Sequence, residues 1–237
     1  MFYFGEFIIS GFQRSVFMKE FFRKYRHAWL IFTYLPIYLV WFFLLEQNVT
    51  ESYHIIESPL DARIPFIEHF ILPYLLWFPF IAVSVLYFIY KDKSEYYRLC
   101  GVLISGMTIF LLVSTFFPNG LALRPTLSKL GRDNLFLGLV ASLHEADTST
   151  NVCPSIHVYN SLAVCVAFFT SSHFKGKTVL KTGILILTVL ICLSTVYLKQ
   201  HSVIDVFWAF AIMAVAAPVF YARRTPREEH RADTVSE

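Results

Sequence analysis

The sequence predicts an all-α integral-membrane protein: a bundle of six transmembrane helices, preceded by an amphipathic helix lying at the membrane interface. Three observations predict it. The first is composition. The 237 residues are 56% hydrophobic and 18% aromatic, with only 16% charged, and the mean hydropathy is +0.56. A soluble domain carries about 25% charged residues and roughly 45–50% apolar ones, so this apolar excess is too large for one soluble core. The second is six apolar runs near the ~20 residues a bilayer-spanning helix needs. The third is where the basic residues fall. Fifteen of the 20 Lys and Arg lie on one side of a six-span frame: before the first run, after the sixth, and in the connections between the second and third and the fourth and fifth. Basic residues concentrate on the cytoplasmic side, so both termini are expected there, in the plasma membrane. The other five, Arg63, Arg124, Lys129, Arg132 and Lys199, fall on the outer face.

Taken in order, residues 1–27 form the N-terminal segment. Phe12, Val16, Lys19, Phe21 and Arg23 give it a basic amphipathic pattern suited to anionic lipid. The bundle occupies 28–222. Its runs are Ala28 to Leu45, Phe70 to Tyr90 (holding Pro73 and Pro79, so prone to bend), Leu99 to Phe117, His157 to Ser171, Val179 to Leu198 and Val203 to Tyr221. The fourth is short and must start earlier or be sheltered by its neighbours. Residues 223–237 are polar and expected to be a disordered cytoplasmic tail. Cys100, Cys153, Cys165 and Cys192 show no metal-ligand spacing and read as small buried hydrophobes. A net charge of +3 does not suggest nucleic acid as a partner. Nothing in the chain fixes an oligomeric state.

The long outer segment from Pro118 to Ser155 holds Arg124-Pro125 and a helical apolar pattern between Leu130 and Leu143. It ends in Cys153-Pro154-Ser155-Ile156-His157, at the head of the fourth run. The connection between the fifth and sixth runs reads Ser194-Thr195-Val196-Tyr197-Leu198-Lys199-Gln200-His201-Ser202-Val203-Ile204-Asp205. Polar clusters therefore stand at three span ends on one face, where ionisable side chains are costly without a function. His201 and Asp205 are four apart, so on a helix they share a face; a carboxylate beside an imidazole fixes its tautomer. A second histidine on another helix can then move a separate proton. Two histidines, an arginine, a lysine and a serine at a helix start suit phosphoryl transfer, because cations and N–H groups match the oxygens of the group in flight.

These motifs resemble the type-2 phosphatidic acid phosphatases (PAP2), six-span membrane phosphatases with three short motifs. Pro154-Ser155-Ile156-His157 resembles the second, Pro-Ser-Gly-His. Ser194-Thr195, then His201 and Asp205, resembles the third: Ser-Arg, five residues, His, three residues, Asp. Arg124-Pro125 resembles the end of the first, Lys, six residues, Arg-Pro. The resemblance implies His201 as the nucleophile, oriented by Asp205, and His157 as the acid that protonates the leaving group and then activates water. It implies Arg124, Ser155 and the Ile156 N–H as holders of the phosphoryl oxygens, with no metal or other cofactor. The partners implied are a lipid phosphate, phosphatidic acid or a polyprenyl pyrophosphate, and the surrounding membrane lipids. Two cations of the pattern are missing, at Phe117 and Thr195. Lys199, one helical turn beyond Thr195, is expected to replace the second. Inositol phosphorylceramide synthases, which pass a phospho-head-group to an alcohol, resemble the family too, so a phosphotransferase stays open beside the phosphatase. A transporter or non-catalytic membrane protein is the remaining class. Polar groups at one face rather than at mid-membrane speak against the first, and retention of both histidines and Asp205 against the second.

Overall fold

The computed structural model describes residue 20, residues 22–48 and residues 53–221. Most of the amphipathic segment and the 223–237 tail lie outside them. The described chain is all-α apart from a two-residue parallel pairing. It runs α1 (Trp29–Gln47), β1 (His54–Ile55), α2 (Ile71–Lys91), α3 (Lys93–Phe116), β2 (Asn119–Gly120), α4 (Leu135–Ala146), α5 (Ile156–Thr170), α6 (Thr178–Tyr197) and α7 (Val203–Tyr221), with single 3-10 turns between.

Helix ends follow local chemistry. Asp92 accepts from the Glu95 N–H and starts α3 at Lys93, six residues before the apolar run begins. Asn134 caps α4 through the Leu137 N–H at 3.0 Å, so that helix starts later than the apolar pattern at Leu130 suggests. Ser155 caps α5 through the Val158 N–H. Pro73 sits in the first turn of α2, where a missing N–H costs nothing, while Pro79 is interior.

Among the described residues, five helices are long and apolar enough to cross a membrane: those carrying α1, α2, α3, α6 and α7. The fourth expected span does not start early. It is α5, 15 residues and hence about 22 Å long, against a hydrocarbon core of about 30 Å. It is the sheltered helix of the bundle, packed against α2, α3, α6 and α7, with Val158, Tyr159, Ala163, Val164 and Ala167 fully or nearly fully buried. Long apolar helices of this number fit an integral-membrane protein. α1 is the opposite case: only Tyr38 is buried along it, and Trp29, Phe32, Ile37, Val40 and Phe43 are more than half exposed, as lipid-facing residues are.

α5 reaches the core because α3 lets it approach. A Cβ on Gly106 would lie 1.9 Å from the Tyr159 ring. That ring sits in the notch, and its hydroxyl donates to the Val102 carbonyl at 3.1 Å. The four cysteines are free, with Cys100 and Cys153 buried.

Candidate active site

One end of the bundle collects the end of α1, the start of α2, the end of α3, the start of α5, and the turn between α6 and α7. The loop after α3 is anchored first. Asn119, 1% exposed, accepts the Val152 and Cys153 N–H groups at 3.0 and 2.9 Å through its side-chain oxygen. Its carbonyl takes the Asn151 N–H at 2.7 Å. This fixes the loop segment leading into Pro154 and Ser155. Gly120 beside it has no room for a side chain, since a Cβ would meet Tyr53 and the Ser149 carbonyl at 2.7 and 2.8 Å. Glu46 at the end of α1 holds the same loop, accepting from Thr148 Oγ1 and from Asn151 Nδ2 at 2.7 Å.

The α6–α7 turn carries the second histidine. α6 ends at Tyr197. The Gln200 and His201 N–H groups both fold back onto the Thr195 carbonyl, at 2.9 and 3.0 Å, and Lys199 takes a left-handed φ of +58° to allow it. Asp61, from the loop before α2, closes the turn from outside. Its carboxylate accepts from Ser202 Oγ at 2.6 Å, from the Val203 N–H at 2.9 Å and from the Ser58 N–H at 2.7 Å. It thereby caps α7 from 142 positions away in the chain.

The two histidines meet within this frame. His157 and His201 have ring centroids 5.6 Å apart. His201 Nδ1 lies 3.4 Å from Asp205 Oδ2, both groups being buried, and the same oxygen takes the Ser202 N–H at 2.9 Å. His157 is flanked by two aromatic rings of α2: Tyr74 stacks on it at 4.6 Å, and Trp77 lies at 4.4 Å. Ser155, fully buried, is joined to the His201 helix by its N–H on the Asp205 carbonyl at 3.3 Å. The Cys153 thiol, pushed up to about 12 by burial and then by Asp205, stays protonated beside that carboxylate.

Arg124 lies one residue away through Gln200. Its guanidinium donates to the Asp147 and Thr148 carbonyls and to Gln200 Oε1, each at 2.7 Å, and faces Asp147 Oδ2 at 3.5 Å. Burial pushes the Asp147 carboxyl up to about 6, with Arg124 pulling the other way. Burial pushes His144, next to the same arginine, down to about 4.

The structure thus brings together His157, His201, Asp205 and Ser155, with Ile156 in the first turn of α5, and sets Arg124 at their edge. It does not bring Lys199 in with them. Lys199 lies beyond the end of α6, so the helical spacing from Thr195 does not apply. Its ammonium donates to the Asp61 carbonyl at 2.6 Å and to the Ile64 carbonyl, and burial lowers its pKa. Thr195 is fully buried, its hydroxyl on the Cys192 carbonyl at 2.8 Å. Phe117 stacks on His54 at 4.1 Å. Sequence reading did not single out Asp61, Gln200, Asn119, Tyr74 or Trp77. Only Gln200 was signalled at all, by lying between Lys199 and His201.

The model of the PAP2 superfamily matches residues 101–229, more than half of the chain. The chain belongs to the PAP2 superfamily. No curated protein and no solved structure matches it. The matched stretch contains Arg124, Ser155, Ile156, His157, Lys199, His201 and Asp205. It omits α1 and α2, so Asp61, Tyr74 and Trp77 are additions from this chain's own frame. Among the described residues, the one group of His, Cys, Asp and Glu able to share a metal ion is Asp92, Glu95 and His173, with ligand atoms within 4.8 Å of one another. It lies at the other end of the bundle, where Asp92 caps α3, and takes no part in the histidine pair.

Proposed function

We propose that this PAP2 protein is a membrane lipid phosphatase. It hydrolyses a phosphate monoester or pyrophosphate, of the phosphatidic acid or polyprenyl pyrophosphate class, through a phosphohistidine and without a metal. The observation that carries the reading is the pairing of His157 and His201, 5.6 Å apart on different helices, with a buried carboxylate behind only one of them.

That asymmetry supports a division of roles. Asp205 faces Nδ1 of His201, so Nδ1 carries the proton and the Nε2 lone pair is free to attack phosphorus. A P–N bond forms, the P–O bond to the leaving group breaks, and His157 gives that oxygen its proton. Asp205 stabilises the cationic ring that results. In the second half His157 takes a proton from water. The water oxygen attacks phosphorus, the P–N bond breaks, and phosphate leaves with both histidines restored. Arg124, Ser155 and the Ile156 N–H hold the phosphoryl oxygens, while Lys199 holds the nucleophile's turn against the 61–64 loop. The lipid reaches the site by lateral diffusion, on the outer face by the distribution of basic residues, with both termini cytoplasmic.

The test is phosphate release by the purified chain in detergent with chelator present. The panel is phosphatidic acid, diacylglycerol pyrophosphate and a polyprenyl pyrophosphate, with His201→Ala as control. Release that falls about a thousandfold or more in the variant is expected; equal turnover by the variant removes the mechanism. The cation-poor site, with Phe117 and Thr195 at two positions where the family carries Lys and Arg, favours a second reading in which an alcohol replaces water. Head-group transfer to an added acceptor, with no phosphate released from any of the panel, establishes that instead.

A further inference from the structure

Some buried side-chain polar atoms of the described residues have no hydrogen-bond partner, and their chemistry is not random. Hydroxyls among them can turn, and histidine nitrogens can serve either way. Three are nitrogens that can only donate: Trp77 Nε1, Arg124 Nε and Gln200 Nε2. All three lie at the histidine end of the bundle. Trp77 packs on His157 at 4.4 Å. Gln200 adjoins His201 in the chain and is 3% exposed. Arg124 donates to that same glutamine.

The orientation of Gln200 is fixed by chemistry rather than by choice of flip. Arginine has no acceptor, so the amide must turn its oxygen to Arg124, which leaves both amide hydrogens on Nε2 without an acceptor. Buried donors left open in this way are costly and call for an explanation. Three of them at the histidine end suit a ligand rich in acceptors; Asp205 Oδ1 is an open acceptor at the same site, and a protonated phosphate oxygen or a water can donate to it.

We propose that Trp77 Nε1 and Gln200 Nε2 are phosphoryl-oxygen ligands, which with Arg124 form the oxyanion cradle of this site. The inference rests on the phosphoryl-transfer reading above and adds residues outside the three motifs. Neutral N–H donors then stand in for the cations absent at Phe117 and Thr195, and Lys199, bound to carbonyls, is not needed as a ligand. It also gives the aromatic wall of α2 a second task, since the ring that packs on His157 carries the N–H.

The test uses the full chain in detergent, with orthovanadate and inorganic phosphate as oxyanion probes in titration calorimetry. KM and kcat are measured in parallel for whichever lipid phosphate the wild type turns over. Trp77→Phe keeps an aromatic ring against His157 and removes the N–H together with part of the indole's volume, so its melting temperature is expected to fall slightly and is read beside the affinity. Its vanadate affinity is expected to fall about tenfold, the size of a hydrogen bond to a charged group, with KM rising in step. Gln200→Met is expected to lose more, since it also removes the acceptor of the Arg124 guanidinium. Wild-type vanadate affinity and KM in both variants, while His201→Ala remains inactive, overturns the cradle and leaves the phosphoryl-transfer reading intact. A wild-type chain that neither binds an oxyanion nor turns over lipid overturns both.

Discussion

The two ends of this bundle are built from similar residue types and put to different use. At the histidine end, Asp61, Asp205, Glu68 and Lys199 are at most 9% exposed, and the bonds of Asp61, Glu68 and Lys199 join segments far apart in the chain. Glu68 takes Arg132 at 2.7 Å and Asn134 at 3.1 Å, tying the start of α4 to the entry of α2. At the other end, Asp92 and His173 form a pair at 3.2 Å with about a third of each side chain exposed. Glu95 there is 6% exposed and takes the Ser172 N–H at 3.3 Å, so the contrast lies in the Asp92–His173 pair. The difference teaches where polarity is structural and where it is incidental. A buried acceptor with several donors cannot be removed without stranding them, whereas water replaces a half-exposed partner.

Asp61→Ala is the sharpest way to break this contrast. It strands Ser202 Oγ and the Val203 and Ser58 N–H groups, and is expected to cost about 3 kcal/mol and most of the turnover, read by thermal melting and phosphate release. Gly106→Ala drives a methyl into the Tyr159 ring between the two ends and is expected to cost about 1–3 kcal/mol. Gly138→Ala on α4 meets nothing within 4 Å and serves as its matched control; equal melting temperatures for the two would mean that the α3–α5 contact is not close.

Asp147 gives a pH-dependent version. Its carboxyl rises from 3.8 to about 6 on folding, so between those values the folded chain binds more protons than the unfolded one. Its contribution to stability therefore falls as pH rises through that window. Asp147→Asn is expected to flatten the change in melting temperature between pH 4 and 6, and an unaltered slope would place the titration elsewhere. The smallest effect is expected at the other end. His173→Ala should cost under about 1 kcal/mol and leave turnover unchanged; a loss comparable to that of Asp61→Ala would erase the contrast between the ends.

The helices were legible because their signal is local. A run such as Val203 to Tyr221 needs only its own composition, and the observed α7 has those bounds. α5 was legible as a short element that must start earlier or be sheltered; which of the two holds is decided by its neighbours, and shelter is what the structure shows. Among the site positions, His201 and Asp205 carried a spacing that predicts their meeting, while His157, 44 positions away, was tied to them only by the motif resemblance. Lys199 misled because helical periodicity was extended past a helix end, which the left-handed turn at 199 removes. Asp61 and Trp77 left no trace in pattern, because a remote cap and a packed ring are defined by tertiary approach alone.

The Asp61 clasp also orders the assembly of the molecule. The bond from Ser202 to Asp61 closes a loop of 141 positions, and that from Lys199 closes one of 138. Contacts of such separation are formed against a large loss of chain entropy and come after local helices are in place. α1 and α2 enter the membrane long before residue 202 is synthesised, so the loop carrying Asp61 waits with its acceptors open until the last helix arrives. The turn that carries His201 is thus among the final pieces set, and a chain truncated before α7 leaves not a partial catalyst but a bundle with its histidine end unclasped.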